Sequence, residues 1–281
     1  YVFSTVEDGA SGKSGNITIT TGSLALTNGA ELVATSYGRG DAGNVNIKAG
    51  DTVRFDGRNR SGFPSGAFTN VESQNAVGKG GDINIHTGSL YLSNGAIVNA
   101  RTRGQGDGGN VNIIARETVS FDRSNAISSV LSTGVGKSGN IRITTELLEI
   151  LNGAKLSAIT EASNNAAGNI DVAANSIRLD QGTISADTTA GQGNINLRSR
   201  DLILLRGSNI TTNAGGSEVI GGNIDINTDV LALLQGSNIT ADSVNSRGGN
   251  IDIKTQGLFR SLDSRIKASG ATSALSGNVN I

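Results

Sequence analysis

Residues 15–36, GNITITTGSLALTNGAELVATS, alternate between apolar and polar side chains in three short runs, each closed by Gly or Asn. Ile17 and Ile19 begin the first run, Leu24 and Leu26 the second, and Leu32 and Ala34 the third. Period-two alternation rich in β-branched residues predicts β-strands with one buried face. The runs are too short and too Gly-rich for helices. The same statement is then rewritten down the chain. A Gly-Asn-aliphatic signal recurs at 15, 43, 81, 109, 139, 168, 193, 222, 249 and 277, in steps of 25–38 residues.

Whole columns hold across these periods. The second residue after each Gly is always Ile or Val, from Ile17 and Val45 to Ile251 and Val279. A second aliphatic pair follows, as Leu24/Leu26, Val53/Phe55, Leu90/Leu92, Val119/Phe121, Leu148/Ile150, Ile177/Leu179, Leu202/Leu204 and Leu231/Leu233. A third column reads Leu32, Val98, Ile127, Leu156, Ile184, Ile210, Ile239 and Ile266. Small residues lie two positions beyond it, among them Ala34, Ala100, Ser129 and Ala158. One period cannot fold alone, because its few buried aliphatics do not offset the entropy of ordering about 28 residues. Stacking equivalent residues on one another is what makes columns hold.

The predicted fold is therefore all-β: a right-handed parallel β-helix of about ten coils of 25–38 residues, with three short strands per coil. A propeller or sandwich is the alternative, since Asn-Gly at 28–29 and 94–95 can form hairpin turns. Column identity argues against it, because hairpins do not force every period to match. Residues 1–281 read as one repeat region with incomplete coils at both ends and an insertion over 56–67, GRNRSGFPSG and its flanks, in the second coil. Arg260 is the one charge in an inner column, so the ninth coil either slips there or opens.

Composition changes the picture at three points. There are 40 Gly, one Pro, no Cys and few aromatics, so packing must come from small aliphatics, and thiolate sites and disulfides are excluded. The formal net charge of −1 supplies no pull towards nucleic acid or an anionic membrane. No apolar run approaches a membrane span. The absence of Met reads as a processed product or an excised piece, whose uncapped ends invite end-to-end self-association.

The quoted run, continued by GRGDAGNVNIKAGDTVRFDG and SGAFTNVE, resembles the repeat region of the large filamentous-haemagglutinin-like exoproteins of cyanobacteria. The likeness covers essentially the whole chain and is densest over residues 1–135. It implies a secreted or cell-surface right-handed β-helix, exported through an outer-membrane two-partner transporter and serving as an adhesin shaft. A surface glycan or protein ligand is the partner it implies. A self-assembling extracellular fibre or matrix subunit and a polysaccharide-active β-helix enzyme are the alternative functions.

The residues themselves offer little chemistry. His86 is the only His and faces outward, which excludes a histidine metal site and a His-based triad. The polar column three residues after each Gly brings Asp225 and Asp252 side by side, a like-charge pair that calcium could relieve and that solvent or neighbouring cations could equally screen. In the same column Arg142 neighbours Asp171 and is its simplest ion-pair partner. Arg39-Gly40-Asp41 spells an integrin-type adhesion tripeptide in a Gly-rich turn, but the next equivalent turn has Gln105 in place of Arg39, as drift in a GxGDxG turn would leave it. No cofactor and no catalytic residue is assigned. The residue after each signal Gly forms a column of Asn16, Asn44, Asp82, Asn110, Asn140, Asn169, Asn194, Asn223, Asn250 and Asn278, expected as an internal ladder in which each side chain bonds to the next coil.

This reading separates neighbouring positions sharply. Ile224→Asp buries an unpaired charge and should cost about 4 kcal/mol or more, whereas Asp225→Ala should be neutral or slightly stabilising. Thermal melts that left both variants unchanged would show the inward and outward assignments to be wrong.

Overall fold

The computed structural model describes residues 1–162 and 166–281 and is a right-handed parallel β-helix. Among the described residues there is no α-helix. A 10-stranded sheet holds the third strand of every coil, and a 15-stranded sheet holds the first and second strands together. Every strand pairing is parallel, with equivalent residues opposed: Ile17 to Val45, Val45 to Ile83, and so on to Ile251 and Val279.

The strands differ from the expected five-residue triplets. In four coils the first two run on without a break, as Ile17–Thr27, Val45–Asp56, Ile170–Asp180 and Ile195–Arg206. The chain bends inside these strands while keeping its ladder bonds, and a register shift at Thr21/Ser23 and at Ala174/Ser176 absorbs the bend. The third strands are only three residues long, as in Glu31–Val33 and Ile97–Asn99.

Inside, one aliphatic layer per coil stacks on the next, with Phe55 and Phe121 the largest fully buried side chains. Two expected columns need correction. The second inner pair of the seventh coil is Ile203/Leu205, not Leu202/Leu204, because the bend carries two residues, Arg200 and Asp201, opposite one, Asn175. That extra residue flips the phase of the run LILL by one, and its four aliphatics conceal the flip. In the third column Ala126, not Ile127, stands between Val98 and Leu156, with Ser128 two positions on. The preceding corner explains it. Asn28-Gly29, Asn94-Gly95 and Asn152-Gly153 turn with two left-handed residues, whereas Arg123 (φ 51) turns alone and shortens the corner by one. These Asn-Gly pairs are corners between the second and third strands of a coil, not hairpins.

Arg260 does not slip. It stays in register with Leu233, is exposed, and donates to the carbonyl of Ser264.

The signal glycine is required by space rather than by a positive φ. A Cβ on Gly43, Gly81 or Gly109 would lie 2.2, 2.0 or 1.9 Å from the carbonyl oxygen of the preceding coil's glycine. Its N–H crosses the coil to the carbonyl of the small residue ending the third strand: Gly43 to Ala34 (3.1 Å), Gly109 to Ala100 (3.2 Å) and Gly249 to Ala241 (2.8 Å). The coil is pinched shut there, which is why only Ala, Ser and Thr occupy that position.

Beyond the pinch the chain makes an excursion before the next coil. These excursions, expected as Gly-rich turns, stack as well. Parallel bridges link Val6, Ser36, Val71, Thr102, Val130, Thr160, Thr188 and Ala214 in one line, and Ser11, Arg39, Val77, Gln105 and Val135 in another. Val71, Ala76 and Val130 are fully buried in this rib, apart from the main core.

Gly109→Ala should therefore destabilise by at least about 2 kcal/mol, since a backbone carbonyl must move to admit the methyl. Gly50→Ala is the control, because its nearest contact is an ordinary 3.6 Å. Equal melting temperatures for the two variants would refute the spatial account of the glycine column.

Candidate functional site: axial ladders and two lateral grooves

Where each coil enters its first strand, the ladder of backbone bonds would otherwise leave one N–H without an acceptor. The Asn column supplies it. The Oδ1 of Asn16 accepts from the N–H of Asn44 (2.8 Å), Asn44 from Asp82 (2.8 Å), Asp82 from Asn110 (2.7 Å) and Asn110 from Asn140 (2.9 Å). Asn140, Asn169, Asn194, Asn223 and Asn250 continue it to Asn278, at 2.8 to 3.2 Å. The ladder differs from the expected internal one in two respects. Its acceptors take backbone N–H groups at every rung, with side-chain amides of Asn110 and Asn194 adding to Asp82 and Asn169, and from Asn44 to Asn223 it is half-buried at a corner, with Asn16, Asn250 and Asn278 exposed. Asp82 fits because the role asks only for an oxygen.

The device recurs at other corners. Past the third strand, Asn70 Oδ1 accepts from Arg101 N–H, Asp187 from Asn213, Asn213 from Asp242, and Asp242 from Ser269. At the opposite corner a buried serine reaches back: Ser208, Ser237 and Ser264 accept from the N–H of Gly182, Ser208 and Ser237. On the outer sheet face, Asn84 Nδ2 donates to Asn46 Oδ1 and Asn112 Nδ2 to Asn84 Oδ1.

The sequence-predicted candidates fall into this framework. Asp225 and Asp252 are opposed in register. The shallow 260 Å³ depression over them is also lined by Arg198 and Lys254, and Asn280 Nδ2 donates to Asp252 at 2.6 Å. The described residues contain no group of three or more acidic or imidazole side chains placed to hold a metal. Arg142 lies 3.6 Å from Asp171, whose other oxygen accepts from Asn196. His86 is exposed.

Arg39-Gly40-Asp41 sits in the stacked rib rather than on a free turn. Arg39 and Gly40 are bonded through the backbone to Ala10, Gly12 and Val77, and a Cβ on Gly40 would lie 1.7 Å from the Gly12 oxygen. Asp41 accepts from the Lys79 N–H at 3.0 Å and pairs with Lys13 at 3.2 Å. The Lys79 N–H above all, with help from Lys13, holds the Asp41 carboxyl below its ordinary value although burial opposes this.

Sequence reasoning missed two arrangements. The first is a column that alternates in sign, Lys13, Asp41, Lys79, Asp107, Lys137, along a 680 Å³ groove beside the Asn ladder. Its signal was present as the residue two before each Gly-Asn or Gly-Asp pair. Here too the carboxylates serve the stack, as Asp107 accepts from the Lys137 N–H at 2.9 Å.

The second is a 370 Å³ groove on the outer face of the third-strand sheet, walled on one side by the insertion. Residues 57–65 form a tight hairpin, with a bridge between Arg58 and Pro64 and the Asn59 Oδ1 accepting from Ser61 and Phe63. Phe3, Tyr37, Phe63 and Phe68 line the groove with Glu31, Glu72, Arg58 and Arg101. Burial raises the Glu31 carboxyl above its ordinary value and, with Glu72 and other carboxylates nearby, raises the Tyr37 phenol.

Comparison with protein-family models, with curated proteins and with solved structures finds no match for this chain. Among the described residues no helix is long and apolar enough to cross a membrane.

Two outcomes follow. Asn110→Ala strands the Asn140 N–H and should cost about 1–3 kcal/mol, with faster hydrogen exchange at Asn140; unchanged exchange there would show the ladder to be incidental. Asp41 and Asp56 have depressed values, Asp56 through Ser93, then Asn94 and Arg54. A depressed carboxyl stabilises the fold above its ordinary value and loses that contribution as the pH falls. Acid titration should therefore show stability falling below the ordinary aspartate value of 3.8, and less so in Asp41→Asn.

Proposed function

We propose that this chain is a non-catalytic structural segment, the shaft of a large secreted or cell-surface exoprotein of the filamentous-haemagglutinin-like kind that its repeats resemble. The observation that carries this reading is where its polar side chains are spent. The carboxylates and amides that an enzyme would gather in one cleft are instead bonded from coil to coil. Asp82, Asp107, Asp187 and Asp242 accept neighbouring backbone N–H groups. Asp171 is tied to Arg142 and Asn196, and Glu72 to Arg101 and Arg103. A carboxylate held by two partners along the axis is a poor general acid or base, because its proton affinity and rotamer are fixed by the stack.

A shaft must resist bending and extend something by a fixed length. Ten stacked third strands at a spacing of about 4.8 Å give a rod of roughly 43 Å. Rigidity comes from bonding on several sides of the coil: the two sheets and the Asn ladder link each layer to the next, and the rib and the other corner bonds reinforce parts of the length. Export through an outer-membrane transporter suits such a chain, since a cysteine-free repeat can cross unfolded and fold coil by coil on emergence.

Incubation with pectate, alginate, cellulose and mixed-linkage β-glucan should release no reducing ends. Turnover abolished by Asp171→Asn or Glu72→Gln would replace the shaft by an enzyme.

A further inference from the structure

The insertion is the one place where the repeat is broken, and it is also where the aromatics gather. The chain has three Tyr and six Phe. Tyr1, Phe3, Tyr37, Phe63 and Phe68 all lie at the groove beside the hairpin. Tyr1 stacks on Phe3, with ring centroids 5.6 Å apart, and Asn59 of the hairpin donates to the Tyr1 hydroxyl at 3.1 Å. Phe63 and Tyr37 are 57% and 38% exposed, so their rings are presented to solvent rather than packed away. Tyr37, Phe68 and Asn99 come from three successive coils, so the groove runs along the rod.

A second, independent feature points to a ligand. Asn99 stands on the third-strand face between Phe68 and Ile127 and lines the groove. It is 6% exposed, and its Oδ1 has no hydrogen-bond partner. Other Asn side chains in register columns here are spent on the stack; Asn70, two residues beyond Phe68, bonds both Arg101 and Glu72. A buried amide left unpaired costs free energy that a hydroxyl-bearing ligand can recover. Glu72 beside it is already saturated by Asn70, by Arg101 at 2.8 Å and by Arg103 at 3.2 Å, which leaves Asn99 as the unpaired group of the pair.

We propose that this groove binds a neutral glycan chain, with pyranose rings laid on Tyr37 and Phe63 and a ring hydroxyl bonded to Asn99. The apolar C–H face of a sugar ring suits an exposed aromatic surface, and its hydroxyls suit a few fixed polar groups in an otherwise apolar cleft. The charge balance selects a neutral chain. Glu31 and Glu72 face Arg58 and Arg101, leaving no excess of either sign for a polyanion. The groove spans four coils, three steps of about 4.8 Å or roughly 14 Å, the length of two to three sugar rings. The proposal refines the partner of the shaft but does not depend on the shaft being inert, since a cleaved glycan would still have to bind.

Affinity electrophoresis of the full chain tests it, in native gels cast with mixed-linkage β-glucan, mannan, alginate or polygalacturonate. Retardation is expected in at least one neutral gel. It should weaken at least tenfold in the double variant Tyr37→Ala/Phe63→Ala and stay unchanged in Tyr91→Ala, which removes an exposed ring from the other sheet. Asn99→Leu separates binding from folding: it removes no internal hydrogen bond, so its melting temperature should hold or rise while binding weakens. Three results overturn the proposal: no retardation in either neutral gel, retardation in the anionic gels only, or equal retardation of the double variant. Release of reducing ends from a retarding neutral glycan would instead count against the inert shaft and leave the groove assigned.

Discussion

Everything in this fold depends on one hydrogen bond being available in every coil where the backbone alone cannot make it. A sheet satisfies its own N–H and C=O groups, but a coil must turn, and at each turn the ladder breaks. In this chain the broken ladder is repaired by a side-chain oxygen from the same column of the neighbouring coil, as when Asn110 accepts from the N–H of Asn140. The repair works only if equivalent residues lie directly above one another. One polar position thus fixes the axial register of the whole layer, and the aliphatic columns inherit that register. A slip by one residue would turn the inner face outward and also leave the corner N–H unpaired.

Glycine makes the repair possible. The corner oxygens of adjacent coils approach so closely that a Cβ on Gly81 would fall 2.0 Å from the Gly43 carbonyl. Only with the side chain absent can the Asn that follows reach the next backbone. Gly and Asn are therefore one device, the first setting the distance and the second using it. The small residues ending each third strand belong to the same device, because their carbonyls receive the glycine N–H across the coil.

Much of this was legible in the sequence, and for a physical reason. Columns that stack like on like must repeat, so the strands, the inward faces and the Gly-Asn signal could be read from spacing alone. Failures came where a count changed without a change in composition. The run LILL at 202–205 presents aliphatics in both phases, so an added bend residue before it leaves no mark. Arg123 turning alone, where the corners of the coils before and after it use Asn-Gly, moved Ala126 into the place that the spacing gave to Ile127. The rib was illegible for another reason. Its columns mix Ser, Val, Thr, Arg and Gln, because backbone bridges rather than side chains hold it together. The aromatic groove was hidden because its walls come from residues as distant as Phe3 and Arg101, joined only by stacking and by the fold of the hairpin.

The same constraint shows where this molecule is free to acquire function. A residue inside a column answers to its neighbours above and below. Asp41 is the example: part of an adhesion-like triplet on paper, it is held by Lys79 and Lys13 and serves the rib. A residue that leaves the columns answers to nothing along the axis. Residues 58–64 leave them: their backbone bonds run within the hairpin, between Asn59 and Phe63 and from Gly62 to Asn59, while Gly57 and Ser65 at its base still bond the coils on either side. There the chain can carry large exposed rings that a layer only 4.8 Å or so thick could not repeat. A solenoid that is uniform by necessity can therefore specialise most freely by interrupting itself, and the stacked coils on either side hold that interruption in place.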